Sequence, residues 1–196
     1  MIRPNPRARA AAIAIALLSA AQLAAGIALT GMLGGFTGQD LGAHAANEAF
    51  ARAAPLLVLA EILKLLVAFA QAIVVPSVAA AAPAPTARMA TLVSGMGGAL
   101  LIAASGLLGL YAVAAQDPGY GPLVADLGFA GLGATGIFAL VLLSFEAPRL
   151  RRWHAFVTLL FGLACLIALF YAPAVLLTAP LGWAFWLGLA GRLRHR

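Results

Sequence analysis

Residues 54–76 read APLLVLAEILKLLVAFAQAIVVP, an apolar run with only three strongly polar side chains, Glu61, Lys64 and Gln71. A helix that crosses a bilayer needs about 20 predominantly apolar residues, and this stretch supplies them. The rest of the chain agrees. Of its 196 residues, 64% are hydrophobic and 9% charged, against about 25% charged in a soluble domain. So few charges cannot cover a surface facing water. Lipid removes the requirement, because the outside can then be apolar too.

Working outward, the windows of similar character are 9–34, 89–115, 123–145, 154–171 and 173–190. The last two are the shortest, and Pro173 disfavours a helical conformation at Ala172, so they read as a tight helical hairpin. The expected fold is all-α: a polytopic transmembrane bundle of six helices, a single membrane domain over residues 1–196. Arg3, Arg7 and Arg9 before an apolar stretch resemble a secretory signal peptide. However, the stretch runs to about Gly34, well past an h-region of about 7–15 residues, and it reads as the first span.

The connections carry turn chemistry. Residues 36–53 form the longest, with Asp40, His44, Asn47, Glu48 and Arg52. Pro83 and Pro85 mark the next, Gln116–Pro122 is dense in turn residues, and Pro148 sits in a basic segment. Lys and Arg beside the spans set orientation. With the N-terminus inside, ten arginines lie on the inner side and only Arg52 on the outer. Both termini are therefore expected in the cytoplasm. Trp153, Tyr120, Tyr171 and Trp186 fall near span ends, where aromatic residues with one polar edge favour the interface.

Small residues crowd the third and fourth spans. Ser94/Gly98 and Ser105/Gly109 are small-xxx-small pairs, and Gly128 and Gly131 follow in the fourth span. In lipid such pairs let backbones approach closely. Packing within the chain is the plainer use, and a docking face for another subunit the sharper one. The series Gly128-x-x-Gly131-x-Gly133-x-x-Gly136 is no dinucleotide fingerprint, because it lacks the preceding strand.

Chemistry concentrates in the second span. Ionisable residues inside a bilayer cost several kcal/mol and default to functional candidates. Glu61 and Lys64 are three apart, hence neighbours on one helix face near its middle, and Gln71 and Ala68 fall in the same sector. One reading is an internal ion pair that lowers the insertion cost. The other is a polar site for a proton, an ion or a small polar ligand.

Elsewhere the signals are thin. His44, His154 and His195 fall near or outside the span boundaries, which argues against a bis-histidine haem. His44 with Asp40 and Glu48 has spacing for a weak metal site, but a hydrated loop is the plainer reading, and no metal site is expected. Cys165 is the lone cysteine, inside an apolar run, and reads as a small hydrophobe. No catalytic nucleophile motif appears, and the sequence names no cofactor. Arg149, Arg151 and Arg152 read as anchors at anionic headgroups. The net charge of +6 follows these topology signals rather than a nucleic-acid footprint, so nucleic acid is not an expected partner.

The layout resembles a bacterial family of six-helix integral membrane proteins of unknown function. The likeness lies in the polar segment Ala45–Arg52, the acidic Glu61 in the second helix, the Pro-containing turn and Arg88 opening the third helix. It implies the cytoplasmic (inner) membrane of a bacterium and lends no activity. The leading expectation is a non-catalytic accessory subunit, with the bilayer and a membrane-protein partner or a second copy as its neighbours. The alternatives are a small transporter using Glu61, Lys64 and Gln71, and a membrane enzyme acting on a lipid or quinone.

Overall fold

The computed structural model describes residues 5–32, 43–146, 148 and 150–193, with side chains outside 30–32 and 43–47. These residues form six α-helices and no strand: α1 (Pro6–Met32), α2 (Ala43–Ala79), α3 (Pro85–Ala114), α4 (Gly121–Glu146), α5 (Arg152–Ala168) and α6 (Val175–Arg192). Five are long and apolar enough to cross a membrane, and α5, with 17 residues, is the shorter exception. The outward faces carry Phe69, Leu100, Leu107 and Phe156, each at least 60% exposed. A surface this apolar has lipid as its natural solvent.

The helices run alternately up and down, each packed on its neighbours in sequence, and α1 closes on α6. The result is a ring. The start of α1 and the end of α6 meet at one end of it, where the Asn5 amide donates to the Leu193 carbonyl at 3.3 Å and the Asn5 side-chain amide donates to Ser77 Oγ at 2.7 Å. Short 3₁₀ turns, Pro118–Tyr120 and Ala172–Ala174, open α4 and α6 at the opposite end. In the first, Asp117 Oδ1 accepts from the Gly119 amide at 2.8 Å.

One boundary differs materially from expectation. The segment expected as a long loop over 36–53 is helical from Ala43 onward, so α2 runs 37 residues. Its Pro55 and Pro76 lie inside the helix, which membrane helices tolerate when neighbours satisfy the freed backbone groups. Asp40 and the His44 side chain, two members of the weak metal reading, lie outside the described residues, as does Arg149.

Small residues set the helix spacing. A Cβ on Gly98 would stand 3.1 Å from the Gly131 carbonyl, and one on Gly131 would stand 2.9 Å from the Ile102 amide nitrogen. α3 and α4 therefore touch backbone to backbone. Gly136 meets the Gly162 carbonyl in the same way on α5. The glycines of α4 thus serve two neighbours, Gly131 facing α3 and Gly133 and Gly136 facing α5.

The half of the ring nearest the chain ends is solid. Ile15, Val74, Val78, Phe138, Leu142 and Leu189 are buried there. Phe161 stacks on Phe185 at 5.0 Å, and Phe138 on Trp186 at 6.1 Å. Trp186, expected at the interface, is 3% exposed and plugs this core instead. Trp153 and Tyr171 are more than half exposed at the ends of α5.

Candidate functional site

The other half of the ring is hollow. A cavity of about 490 Å³ lies between α1, α2, α4 and α6, with Ile102 from α3 on its wall. Its depth follows from the helices: Val124 and Thr135 on α4 are eleven positions apart, about 16 Å at 1.5 Å per residue. Phe161 and Trp186 form the floor, where the solid core begins. Ile27, Val124 and Val175 stand at the far end, beside the 3₁₀ turns. The wall is largely apolar. Its polar points are Ser19, Gln22, Lys64, Gln71, Thr135 and Thr178.

Lys64 sits toward the end beside the 3₁₀ turns. Its ammonium lies 2.9 and 2.8 Å from the two oxygens of Glu61 and donates to Ser105 Oγ at 3.2 Å. Ser105 in turn donates to the Val124 carbonyl at 2.8 Å, tying α2, α3 and α4 together. Glu61 does not face the cavity. Its carboxylate lies against α3 at Gly109, where a Cβ would come within 2.7 Å of Glu61 Cγ. Gly109 is thus the recess that lets a buried carboxylate fit between two helices.

The pair is the midpoint of α2 by residue number, yet it lies level with the last quarter of α3, five residues before Ala114. The reason is the N-terminal extension of α2. Residues 43–53 lengthen that helix beyond its neighbours, so the charges sit well toward the end of the ring that carries the 3₁₀ turns.

Gln71 belongs to a second, deeper cluster. Its amide donates to the Gly95 carbonyl at 2.9 Å and to Thr135 Oγ1 at 3.1 Å. Thr135 also donates to Gly131 O at 2.9 Å, within its own helix. Gln71 thereby links α2 to α4 past the Gly98 notch of α3. Seven residues, or about 10 Å of helix, separate it from Lys64. The three polar residues of the second span therefore do not form one cluster. Lys64 and Gln71 share the cavity wall, whereas Glu61 and Ala68 turn toward α3.

Ser94, Gly98, Ser105, Gly109 and Gly131 are buried between helices of this chain, and Gly128 lines the cavity. Arg151 and Arg152 are exposed at the start of α5.

Two polar features had no clear sequence signal. Glu146, fully buried at the end of α4, pairs with Arg192 at the end of α6 at 2.6 Å. The residues are 46 apart, and only the ring brings them together. His154, expected near the boundary, is 3% exposed and lies over Gly188, its Nε2 3.4 Å from the Phe185 carbonyl.

Compared with protein-family models, curated proteins and solved structures, the chain matches none, so its site is read from its own residues.

The ion pair gives a direct test. Lys64→Met leaves Glu61 buried without its cation, but a carboxylate can take up a proton to escape the cost. The expected loss is about 1–2 kcal/mol, read as a lower midpoint in thermal unfolding of the detergent-solubilised protein. Glu61→Gln combined with Lys64→Met should restore most of it. A double variant as unstable as the single one would show that Lys64 stabilises the ring through something other than Glu61.

Proposed function

We propose that the protein is a multi-pass protein of the bacterial cytoplasmic membrane that binds a small amphipathic molecule in the hollow half of its ring, as a carrier does. All six helices cross the bilayer, with the termini in the cytoplasm and the cavity end beside the 3₁₀ turns facing outward. The observation that carries this reading is the cavity itself. It falls within the roughly 300–1,000 Å³ of ordinary ligand sites, and it has their character: mostly apolar walls with a few placed polar groups. One end is closed by stacked aromatics, and the one charged lining residue, Lys64, stands toward the other.

The expectation of an accessory subunit drew on small-residue faces as docking surfaces. Those residues are occupied by helices of the same chain, so the geometry lends more weight to a ligand site. Membership of the six-helix family remains part of this proposal and adds no activity to it. Arg151 and Arg152, with Arg149, serve as headgroup anchors on the cytoplasmic side.

Ala179 offers the test, because it lines the cavity on α6. Ala179→Phe should fill the space beside the floor and weaken amphiphile binding at least tenfold, while circular dichroism and unfolding stay near wild type. Binding is read from the emission of Trp186, which lies on the cavity floor. Unchanged binding in a folded Ala179→Phe protein would place the ligand elsewhere and remove the basis of the reading.

A further inference from the structure

Seen from inside the cavity, the Glu61–Lys64 pair is not neutral. Lys64 is the only charged residue among the described ones that line the space. Its side chain is 24% exposed, whereas that of Glu61 is 8% exposed and is turned behind it toward Gly109. The ligand therefore meets the cation first and the carboxylate only through it. The third ammonium contact, to Ser105 Oγ, is long at 3.2 Å, and Ser105 keeps its own bond to the Val124 carbonyl. A ligand oxygen can accept the proton now given to Ser105 Oγ while the hydrogen bond from Lys64 to Glu61 Oε1 stays in place.

Position completes the argument. Lys64 stands toward the end beside the 3₁₀ turns, and beneath it the wall carries Val67, Phe129 and Leu132, with Gln71 and Thr135 bonded to each other, down to Phe161 and Trp186. The space thus has a cationic upper part and, below it, a mostly apolar shaft whose deeper polar pair, Gln71 and Thr135, is already hydrogen-bonded. Resting on the cavity reading above, we infer that the ligand is a single-chain anionic amphiphile, its oxyanion head at Lys64 and its acyl or alkyl chain directed down to Trp186. A carboxylate or a phosphate monoester head satisfies the same chemistry.

Trp186 makes the test specific, because it is 3% exposed and out of reach of chains dissolved in the bilayer. The protein carrying Trp153→Phe and Trp183→Phe keeps Trp186 as its single indole, and both replaced residues are about half exposed. It is placed in phosphatidylcholine nanodiscs and titrated with chain-terminally brominated amphiphiles of equal length bearing carboxylate, phosphate, hydroxyl or trimethylammonium heads. Bromine at the chain end quenches Trp186 only if the chain reaches the floor.

The expected result is quenching by the two anionic series at concentrations about tenfold or more below the alcohol and the ammonium, a head-group contribution typical of a charge-assisted hydrogen bond. Glu61→Gln with Lys64→Met should bring carboxylate and alcohol to the same concentration. The ratio of carboxylate to phosphate identifies which head is the better fit. Equal quenching by all four heads overturns the anionic class and leaves the cavity as a site for neutral amphiphiles. Absence of quenching by any of them overturns the cavity reading as well.

Discussion

Glu146→Ala is expected to lower stability by about 3–4 kcal/mol, whereas Arg192→Met costs roughly half as much. The two halves of the pair are unequal for a chemical reason. Glu146 is fully buried and Arg192 is 27% exposed by side chain. When arginine loses its partner it cannot neutralise itself by releasing a proton. Its guanidinium must stay charged at the base of the ring or swing out and leave a hole. When glutamate loses its partner it can be protonated and remain in place. The double variant Glu146→Leu with Arg192→Met should recover most of the loss, because an apolar pair of similar volume often replaces a buried ion pair at little cost. Thermal unfolding in one detergent at one pH orders the four proteins. Equal losses from the two single variants would mean that the pair acts through packing rather than charge. The ring closure from α4 across α5 to α6 would then rest on the aromatic core and on glycine contacts such as Gly136 against the Gly162 carbonyl.

The helical fold was legible because lipid demands so simple a pattern. About 20 apolar residues between polar punctuation make a span wherever they occur, and Pro173 and Asp117-Pro118-Gly119 mark breaks by local backbone chemistry. The start of α2 was not legible. Residues 43–53 hold Glu48 and Arg52 and are too polar to read as a span, yet they continue the helix, with Arg52 Nε donating to the Glu48 carbonyl one turn back at 3.4 Å. Hydropathy reports where lipid begins, and helix geometry does not have to stop there.

The site was legible in part for the same reason. Charges in an apolar run announce themselves, so Glu61 and Lys64 stood out, and three-residue spacing made them a pair. Glu146 did not stand out, since an acid beside Pro148 and several arginines looks like a hydrated terminus. Its burial depends on α6, which returns from the other end of the ring to place Arg192 beside it. Trp186 was misread on similar grounds: near a span end an indole ordinarily marks the interface, but here its helix face turns inward onto Phe138 and Phe185. The cavity has no local signature at all. Its walls come from five helices and its floor also from α5, and only the packing of α1 on α6 brings them around one space.

The second large effect follows from the close approach of α3 and α4 at Gly98. Gly98→Val is expected to cost about 3–4 kcal/mol, the sum of overpacking and a broken buried polar link. A Cβ at position 98 would stand 2.7 Å from Thr135 Oγ1, 3.0 Å from the Gln71 amide nitrogen and 3.1 Å from the Gly131 carbonyl. The last of these is backbone and cannot rotate away, so α3 and α4 must separate. Separation pulls Thr135 off Gln71, whose other bond, to the Gly95 carbonyl, runs to the moving helix as well. Two further variants divide the cost. Thr135→Val removes the link but keeps the helix contact, and it should lose only about 1 kcal/mol. Gly97→Ala adds a methyl one residue away, where nothing lies within 4 Å of the new carbon, and it should be neutral or slightly stabilising through helix propensity. A Gly98→Val protein that unfolds with wild-type stability would mean that α3 and α4 are not in backbone contact. The Gln71–Thr135 link would then have to span a wider gap, and the upper wall of the cavity would lose the rigidity on which a fixed position for Lys64 depends.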